Sequence, residues 1–447
     1  MGKSKPRKKK GQQEEEPPPA LPEPVVIPST DFPEIVEPAP ITTLEPLQLT
    51  SDDRHRFHKL KRPEARCCLP RFVTAPDEAL VYFDYLSEGG ANVIFKIHPW
   101  PYAPAEQGQP FLFVDVKTGN MNSNPIHHAE LANKVLRVNK GLLKTLRCEE
   151  VIAGFYGHVR PLFMPGGSIR IIGGHSTITS VGGPQFDFTR YLMDHRGVIL
   201  YSGVMVDLIS KCDTIGVERG QGLAQRLLTS PRWCILLPDM SPKPGSQVTI
   251  ELKPKWLVQS PNAPENAIRC RTCALQVLKP KDPTKYLCPL KLLDNADFDA
   301  VLKWVFTRVV EQAAAHTQDP ALNNAIAWQL AEYLYQGQGK VILEHLRVLQ
   351  NHLDYHGILG RKWIGNRKKE LYGLFEHNLR LAMTLRDCSL YIRVGYSKDG
   401  VDPKSIDCKL GDLDFKSADK MDDWFAKETE LLESESYTQE IEDGPDC

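Results

Sequence analysis

The sequence lacks any run of about 18 apolar residues, the length a membrane-spanning helix needs, so no segment is expected to cross a bilayer. No apolar stretch follows the charges of the first ten residues, so a secretory leader is not expected either. Neither sign of charge is in surplus, because 55 Lys and Arg stand against 56 Asp and Glu for a net charge of −1. A chain so balanced presents no basic field to nucleic acid, and any anion site must be a local cluster of Lys and Arg. The 11 cysteines are odd in number and irregular in spacing, which points to reduced thiols and a nuclear or cytoplasmic setting. Cys270 and Cys273 form a C-x-x-C pair, but no second pair stands at zinc-like spacing, and this weighs against a zinc site.

What is present is the composition of a globular protein, with 41% hydrophobic and 25% charged residues over a length that suits two or three packed units. Residues 1–50 are the exception and read as a disordered tail. Lys3, Lys5, Arg7 and Lys8 to Lys10 precede Glu14 to Glu16 and then many prolines, too little apolar surface to offset ordering entropy. The basic cluster suits a nuclear address or a nucleic-acid contact as well as it suits a plain solvated tail.

Hydrophobic patterning places strands at 81–86 and 93–98 around a small-residue turn, then at 111–116, 134–138, 233–237, 248–252 and 390–394. Residues 161–200, with Gly166-Gly167, Gly173-Gly174 and Gly182-Gly183, read as an inserted loop with short strands. Helical spacing dominates 297–315, 321–336, 339–356 and 366–385. The predicted class is α+β, with a strand-rich unit at 70–240, a helix-rich mixed unit at 241–425 and an acidic, fraying helical segment at 426–447. Two unequal lobes with a cleft between them fit this order.

Several charged groups stand where phosphate chemistry would want them. The turn Glu88-Gly89-Gly90-Ala91-Asn92 has no large side chain, so its backbone N–H groups could approach phosphate oxygens, although such a hairpin is also an ordinary turn. Arg137 follows on a strand, where it could pair with nucleotide phosphates or point to solvent. Alternation puts Glu251, Lys253 and Lys255 on one strand face, a costly arrangement unless they are paired or the strand is a solvated edge. Asp387 precedes a strand, and Asp412 opens Asp-Leu-Asp-Phe-Lys, carboxylates suited to a proton and a Mg²⁺ ion or to a surface Asp–Lys ladder. In a helix, Lys416, Lys420 and Trp424 would share one face.

These motifs, EGGAN, KVLRV, ELKPK, RDCSL and DLDFK, occur in the order found in the inositol-pentakisphosphate 2-kinases, and the chain resembles a fungal-type member of that family over about 80–425. Arg271 to Gln276, Lys279, Tyr286 to Leu290 and Leu379 to Thr384 are similar too. The resemblance implies a two-lobed fold distantly like the protein kinases. It also implies transfer of the γ-phosphoryl of ATP to the 2-hydroxyl of inositol 1,3,4,5,6-pentakisphosphate, giving the hexakisphosphate (phytate). In that case Gly89, Gly90, Ala91, Asn92 and Arg137 would meet the ATP phosphates, Asp239 the adenine hinge, and Glu251 and Lys253 the nucleotide. Lys255, Arg271, Lys279, Lys416, Lys420 and Trp424 would meet the inositol phosphates, Asp387 would act as base with Lys253 beside the reacting groups, and Asp412 would bind Mg²⁺.

The sequence departs from the family pattern at Leu275, where the family has His, and at Lys420 and Trp424, where it has Arg and Tyr. Asn323-Asn324 matches only part of the family's Asn-Asn-Leu-x-x-Phe, and the zinc cluster of some members has no counterpart in spacing. A kinase-like fold that binds inositol polyphosphates with weak or no turnover is the alternative these departures raise. The expected protein is a monomer that needs neither membrane nor nucleic acid. Deleting residues 1–50 should therefore leave phosphotransferase activity unchanged in a direct assay.

Overall fold

The computed structural model describes residues 81–99, 114–117, 120–125, 131, 133–140, 145–171, 174–177, 186–200, 208, 212, 216, 232–280, 285–313, 319–364, 369–440 and 447. The tail at 1–50 lies outside them. The architecture is mixed α and β, with antiparallel sheets and several helices.

Seven strands form the first sheet: β1 (Val81–Glu88), β2 (Asn92–Pro99), β3 (Val114–Lys117), β4 (Asn120–Pro125), β5 (Lys134–Asn139), β8 (Arg196–Leu200) and β9 (Arg232–Pro238). Their order is β1-β2-β5-β9-β8-β3-β4. The alternation in β5 sends Val135 toward a small core with Ile235, Leu237 and Met193. Val151 and Ile152 of α1 (Cys148–Gly154) close that core. Helix α1 runs on into a π-helical turn at Phe155–Val159.

The stretch 161–200, expected to be an inserted loop, contributes a two-stranded ribbon, β6 (Ser168–Ile171) with β7 (Gly174–Thr177), as expected. It also supplies β8, which lies inside the seven-stranded sheet between β9 and β3. The glycines there obscured a strand that is integral to the sheet.

The second sheet has three strands, β10 (Gln247–Leu252), β11 (Ser389–Ser397) and β12 (Gly400–Gly411), in sequential antiparallel order. It packs on α3 (Phe298–Ala313), α4 (Pro320–Tyr335), α5 (Gln338–Leu353) and α7 (Lys369–Asp387), with α2 (Arg271–Leu278), α6 (Gly360–Ile364) and α8 (Met421–Glu433) around them. Helix α4 starts where it does because the Asp319 side chain accepts from the N–H groups of Ala321 and Leu322 and Pro320 presets the first turn. Val248, Ile250, Leu390, Ile392 and Leu410 from the sheet meet Val305, Leu330, Leu346 and Leu385 from the helices in one continuous core. Each such side chain contributes about 1.5–3 kcal/mol by leaving water. No helix among the described residues is long and apolar enough to cross a membrane.

Several ties join the sheets among the described residues. Met193 N–H donates to Leu410 O at 2.8 Å, Arg393 Nη1 donates to Asp239 O at 2.8 Å, and Arg137 on β5 reaches Asp414 just past β12. Of the acidic segment 426–447, the residues up to Glu433 continue α8, and Tyr437 beyond it is only 1% exposed.

Gly154 ends α1 against the chain that follows β12, and a Cβ there would stand 2.8 Å from Phe415 Cβ. Gly154→Ala should therefore lower stability by about 1–3 kcal/mol in urea unfolding, the usual cost of overpacking a filled site.

Candidate active site

The end of the three-stranded sheet gathers most of the charged candidates. Leu252 pairs with Leu390 and Ser389 pairs with Gly411, so the next residues out, Lys253 and Asp412, flank Ser389. Lys253 Nζ lies 2.7 Å from Ser389 Oγ, 3.0 Å from Asp412 Oδ2 and 3.4 Å from Glu251 Oε1. Partial burial pushes the Lys253 pKa down, but Asp412 and Glu251 outweigh it and raise the value, so the ammonium is firmly charged.

Two residues later a second group forms. Lys255 Nζ stands 3.3 Å from Asp387 Oδ1, and Lys416 Nζ bonds the other carboxylate oxygen. Asp387 is the last residue of α7, where the helix dipole disfavours an anion by about 0.3–1 kcal/mol. Burial also raises its pKa, yet Lys416 and Lys255 outweigh both and hold it below the usual carboxylate range.

Asp412 and Lys255 share left-handed backbone, each with φ 53°. An aspartate tolerates this conformation and a lysine does so poorly, at about 1–3 kcal/mol. Buried Gln350 holds the second turn in place, accepting from Leu257 N–H at 2.9 Å and donating to Lys255 O at 2.9 Å.

The third group joins the sheets. Arg137, 5% exposed, forms a two-pronged pair with Asp414, with Nη1 to Oδ1 at 2.8 Å. With its carbonyl turned to the guanidinium, Asn92 accepts from Arg137 Nε at 3.1 Å and Nη2 at 2.7 Å. Burial pushes the Arg137 pKa down and Asp414 more than restores it, while burial of Asp414 is overcome by Arg137 and His195, which hold that carboxyl far below its ordinary value.

The turn Gly89 to Asn92 meets this pair through Asn92. Gly89 N–H donates to Asn92 O at 2.9 Å, and Lys140 N–H donates to Ala91 O at 2.9 Å. A Cβ added at Gly89 or Gly90 would meet nothing within 4 Å, so these two positions leave open space rather than relieve a clash.

The segment 412–416 connects all three groups. Leu413 and Phe415 turn into the core, and alternation turns Asp412, Asp414 and Lys416 toward Lys253, Arg137 and Asp387. Lys416 is therefore in extended chain and not on a helix with Lys420 and Trp424, because the helix begins only at Met421. Asp414 and Ser389 were not singled out in the sequence; the alternation inside Asp-Leu-Asp-Phe-Lys is the signal that could have found Asp414.

The remaining candidates make other contacts. Arg271, 5% exposed, donates to the fully buried Glu428 and lies over Trp256 at 4.3 Å. Lys279 Nζ is 3.9 Å from Glu430, and Lys420 Nζ is 3.4 Å from Asp423. Trp424 packs on the cluster of Trp256, Phe375 and Leu379. Asp239 accepts from Ser241 N–H at 2.8 Å and lies 4.0 Å from Lys96.

Lysines interleaved with carboxylates are the side chains that phosphate-handling proteins use. The family model described as Inositol-pentakisphosphate 2-kinase matches residues 85–430, and the chain belongs to that family. A relative from the yeast Yarrowia lipolytica, named inositol-pentakisphosphate 2-kinase, is 35% identical over 192 residues. That match covers 42% of this chain and 53% of the relative, so the chain spans about half the length of the relative it matches.

Asp414→Asn keeps the shape of the clasp but leaves Arg137 buried without its counter-ion, a loss of about 3 kcal/mol. Because the folded Asp414 value lies below its unfolded one near 3.8, the stabilisation is complete above that value and fades as pH falls below it. Urea unfolding should show a wide gap between wild type and variant at pH 7 that narrows below about pH 4.

Proposed function

We propose that the protein transfers the γ-phosphoryl group of ATP to the 2-hydroxyl of inositol 1,3,4,5,6-pentakisphosphate, giving the hexakisphosphate and ADP. The observation that carries this reading is the convergence of Lys253 with Asp412 and of Lys255 and Lys416 with Asp387 at one sheet end, in a chain of this family.

In this reading the seven-stranded sheet and the helix-backed three-stranded sheet are two lobes of a distantly protein-kinase-like body. Gly89, Gly90, Ala91 and Asn92 cover the ATP phosphates, Arg137 contacts them, and the Asp239 turn after β9 borders the adenine. Glu251 and Lys253 complete the nucleotide side. The half-exposed Asp412 carboxylate, set beside Ser389, suits an ion that takes few protein carboxylates and many phosphate oxygens. Mg²⁺ held there would screen the charge on the β- and γ-phosphates.

Lys255 and Lys416 face the inositol phosphates, with Lys279 just past α2 and Lys420 and Trp424 on the α8 side contributing further contacts, while the buried Arg271 stays paired with Glu428 and acts behind the site. Without substrate, the two lysines keep Asp387 acidic and a poor base. An acceptor with five phosphates draws those ammonium groups away, and the proton affinity of Asp387 rises when its hydroxyl partner arrives. The hydroxyl oxygen then bonds to the γ-phosphorus, the bond to the bridging oxygen breaks, and the hydroxyl proton passes to Asp387.

Incubation with Mg²⁺-ATP and inositol 1,3,4,5,6-pentakisphosphate should yield hexakisphosphate and ADP in equal amounts, and no conversion at high enzyme concentration would refute the assignment. Asp387→Asn should lower turnover at least ~100-fold, within the usual range for losing a general base, while calorimetry shows inositol pentakisphosphate still bound. A binder without turnover would have no activity for this substitution to remove.

A further inference from the structure

Away from the phosphate site, four cysteines converge around the start of α2. The sulfurs of Cys270, Cys273, Cys288 and Cys447 all lie within 4.8 Å of one another, with the first three buried and Cys447 exposed. Cys270 Sγ is 3.8 Å from Cys288 Sγ, which is 3.7 Å from Cys447 Sγ. A disulfide needs sulfurs about 2.05 Å apart, and none of the four is in a disulfide. Sulfurs at the corners of a tetrahedron with zinc–sulfur bonds of about 2.3 Å stand about 3.8 Å apart, the separation found here.

The surroundings fit thiolates as well. Cys270 N–H donates to Cys447 Sγ at 2.9 Å, Cys273 N–H lies 3.5 Å from Cys270 Sγ, and the Tyr286 hydroxyl is 3.0 Å from Cys273 Sγ. Donors of this kind orient thiolate ligands and spread their charge. Packing alone would explain three small buried side chains. It does not explain a fourth, exposed cysteine that comes from 159 residues beyond Cys288 to complete the set.

We propose that Cys270, Cys273, Cys288 and Cys447 form a closed, four-thiolate site for a structural zinc ion. Four soft sulfur ligands select zinc over magnesium or calcium, and a full set of protein ligands leaves no position for substrate. The ion would bind the start of α2, with Arg271 next to Cys270, to the 288 turn and to the end of the described chain. Sequence spacing could not reveal this, because the third and fourth ligands follow Cys270 at 18 and 177 residues.

The test is metal content, which is independent of any kinase assay. The full chain, purified without chelator, should carry ~1 zinc per molecule by plasma mass spectrometry, the content of a single closed site. Cys447→Ser, at the exposed corner where folding is least at risk, should lower this at least ~5-fold, since three ligands and a hydroxyl hold zinc weakly. Cys408→Ala, outside the cluster, should leave it unchanged. Chelation should lower the thermal midpoint of the wild type and not that of Cys447→Ser. Cobalt in place of zinc should give sulfur-to-metal charge-transfer absorption. A metal-free native protein, or one whose zinc is undiminished in both Cys447→Ser and Cys288→Ser, would overturn the proposal.

Discussion

The Arg137–Asp414 pair is the contact on which the arrangement of the site rests. It is the side-chain bridge that carries the pull of the seven-stranded sheet into the segment following β12. Because Leu413 and Phe415 are anchored in the core on either side, the position of Asp414 fixes Asp412 and Lys416 as well. One short extended stretch thereby sets the distance between the carboxylate beside Lys253 and the ammonium beside Asp387. An ion pair so buried contributes little net stability compared with apolar packing, since desolvating both charges offsets most of their attraction. Its contribution is directional: two parallel hydrogen bonds tolerate one geometry and few others.

The same trade recurs behind the site. Arg386 pairs with Asp354 at 2.6 Å, both almost fully buried, and Arg386 and Arg271 both lie over the Trp256 ring. Glu428 takes bonds from Arg271, Ser260 and Tyr437 without any exposure of its own. Replacing such a network with hydrocarbon would cost little stability. The network does, however, fix the turn at 253–257 and the first turn of α2 in one register, and Gln350 does the same for Lys255.

Most strands were legible because period-two alternation survives in β1, β2, β5, β10 and β11 and β9 is an unbroken apolar run, and the four long helices were legible from their apolar spacing. Strand β12 was missed: its first half, Val401 to Ser405, is polar and half exposed, and carries Pro403. Strand β8 was hidden within glycine-rich surroundings. In the site, residue types marked Lys253, Lys255, Asp387 and Asp412, but which carboxylate takes which lysine depends on register, and register is a property of the folded sheet. Asp414 escaped notice since one Asp in Asp-Leu-Asp looks like another until Arg137 is brought against it. Arg271 looks in sequence like a free cation and is already committed to Glu428, a partner 157 residues away.

The packing after α8 bears on where this chain can be cut. The family match stops at residue 430, yet Tyr437 is sealed between Ala274 and Leu431. Its carbonyl accepts from the N–H groups of Ile268 and Arg269 at 3.0 and 3.2 Å. A fragment trimmed to the end of the family match would expose that aromatic socket, strip Glu428 of a phenol donor and remove Cys447 from its cluster, so shortened versions made for crystallisation should retain everything through Cys447.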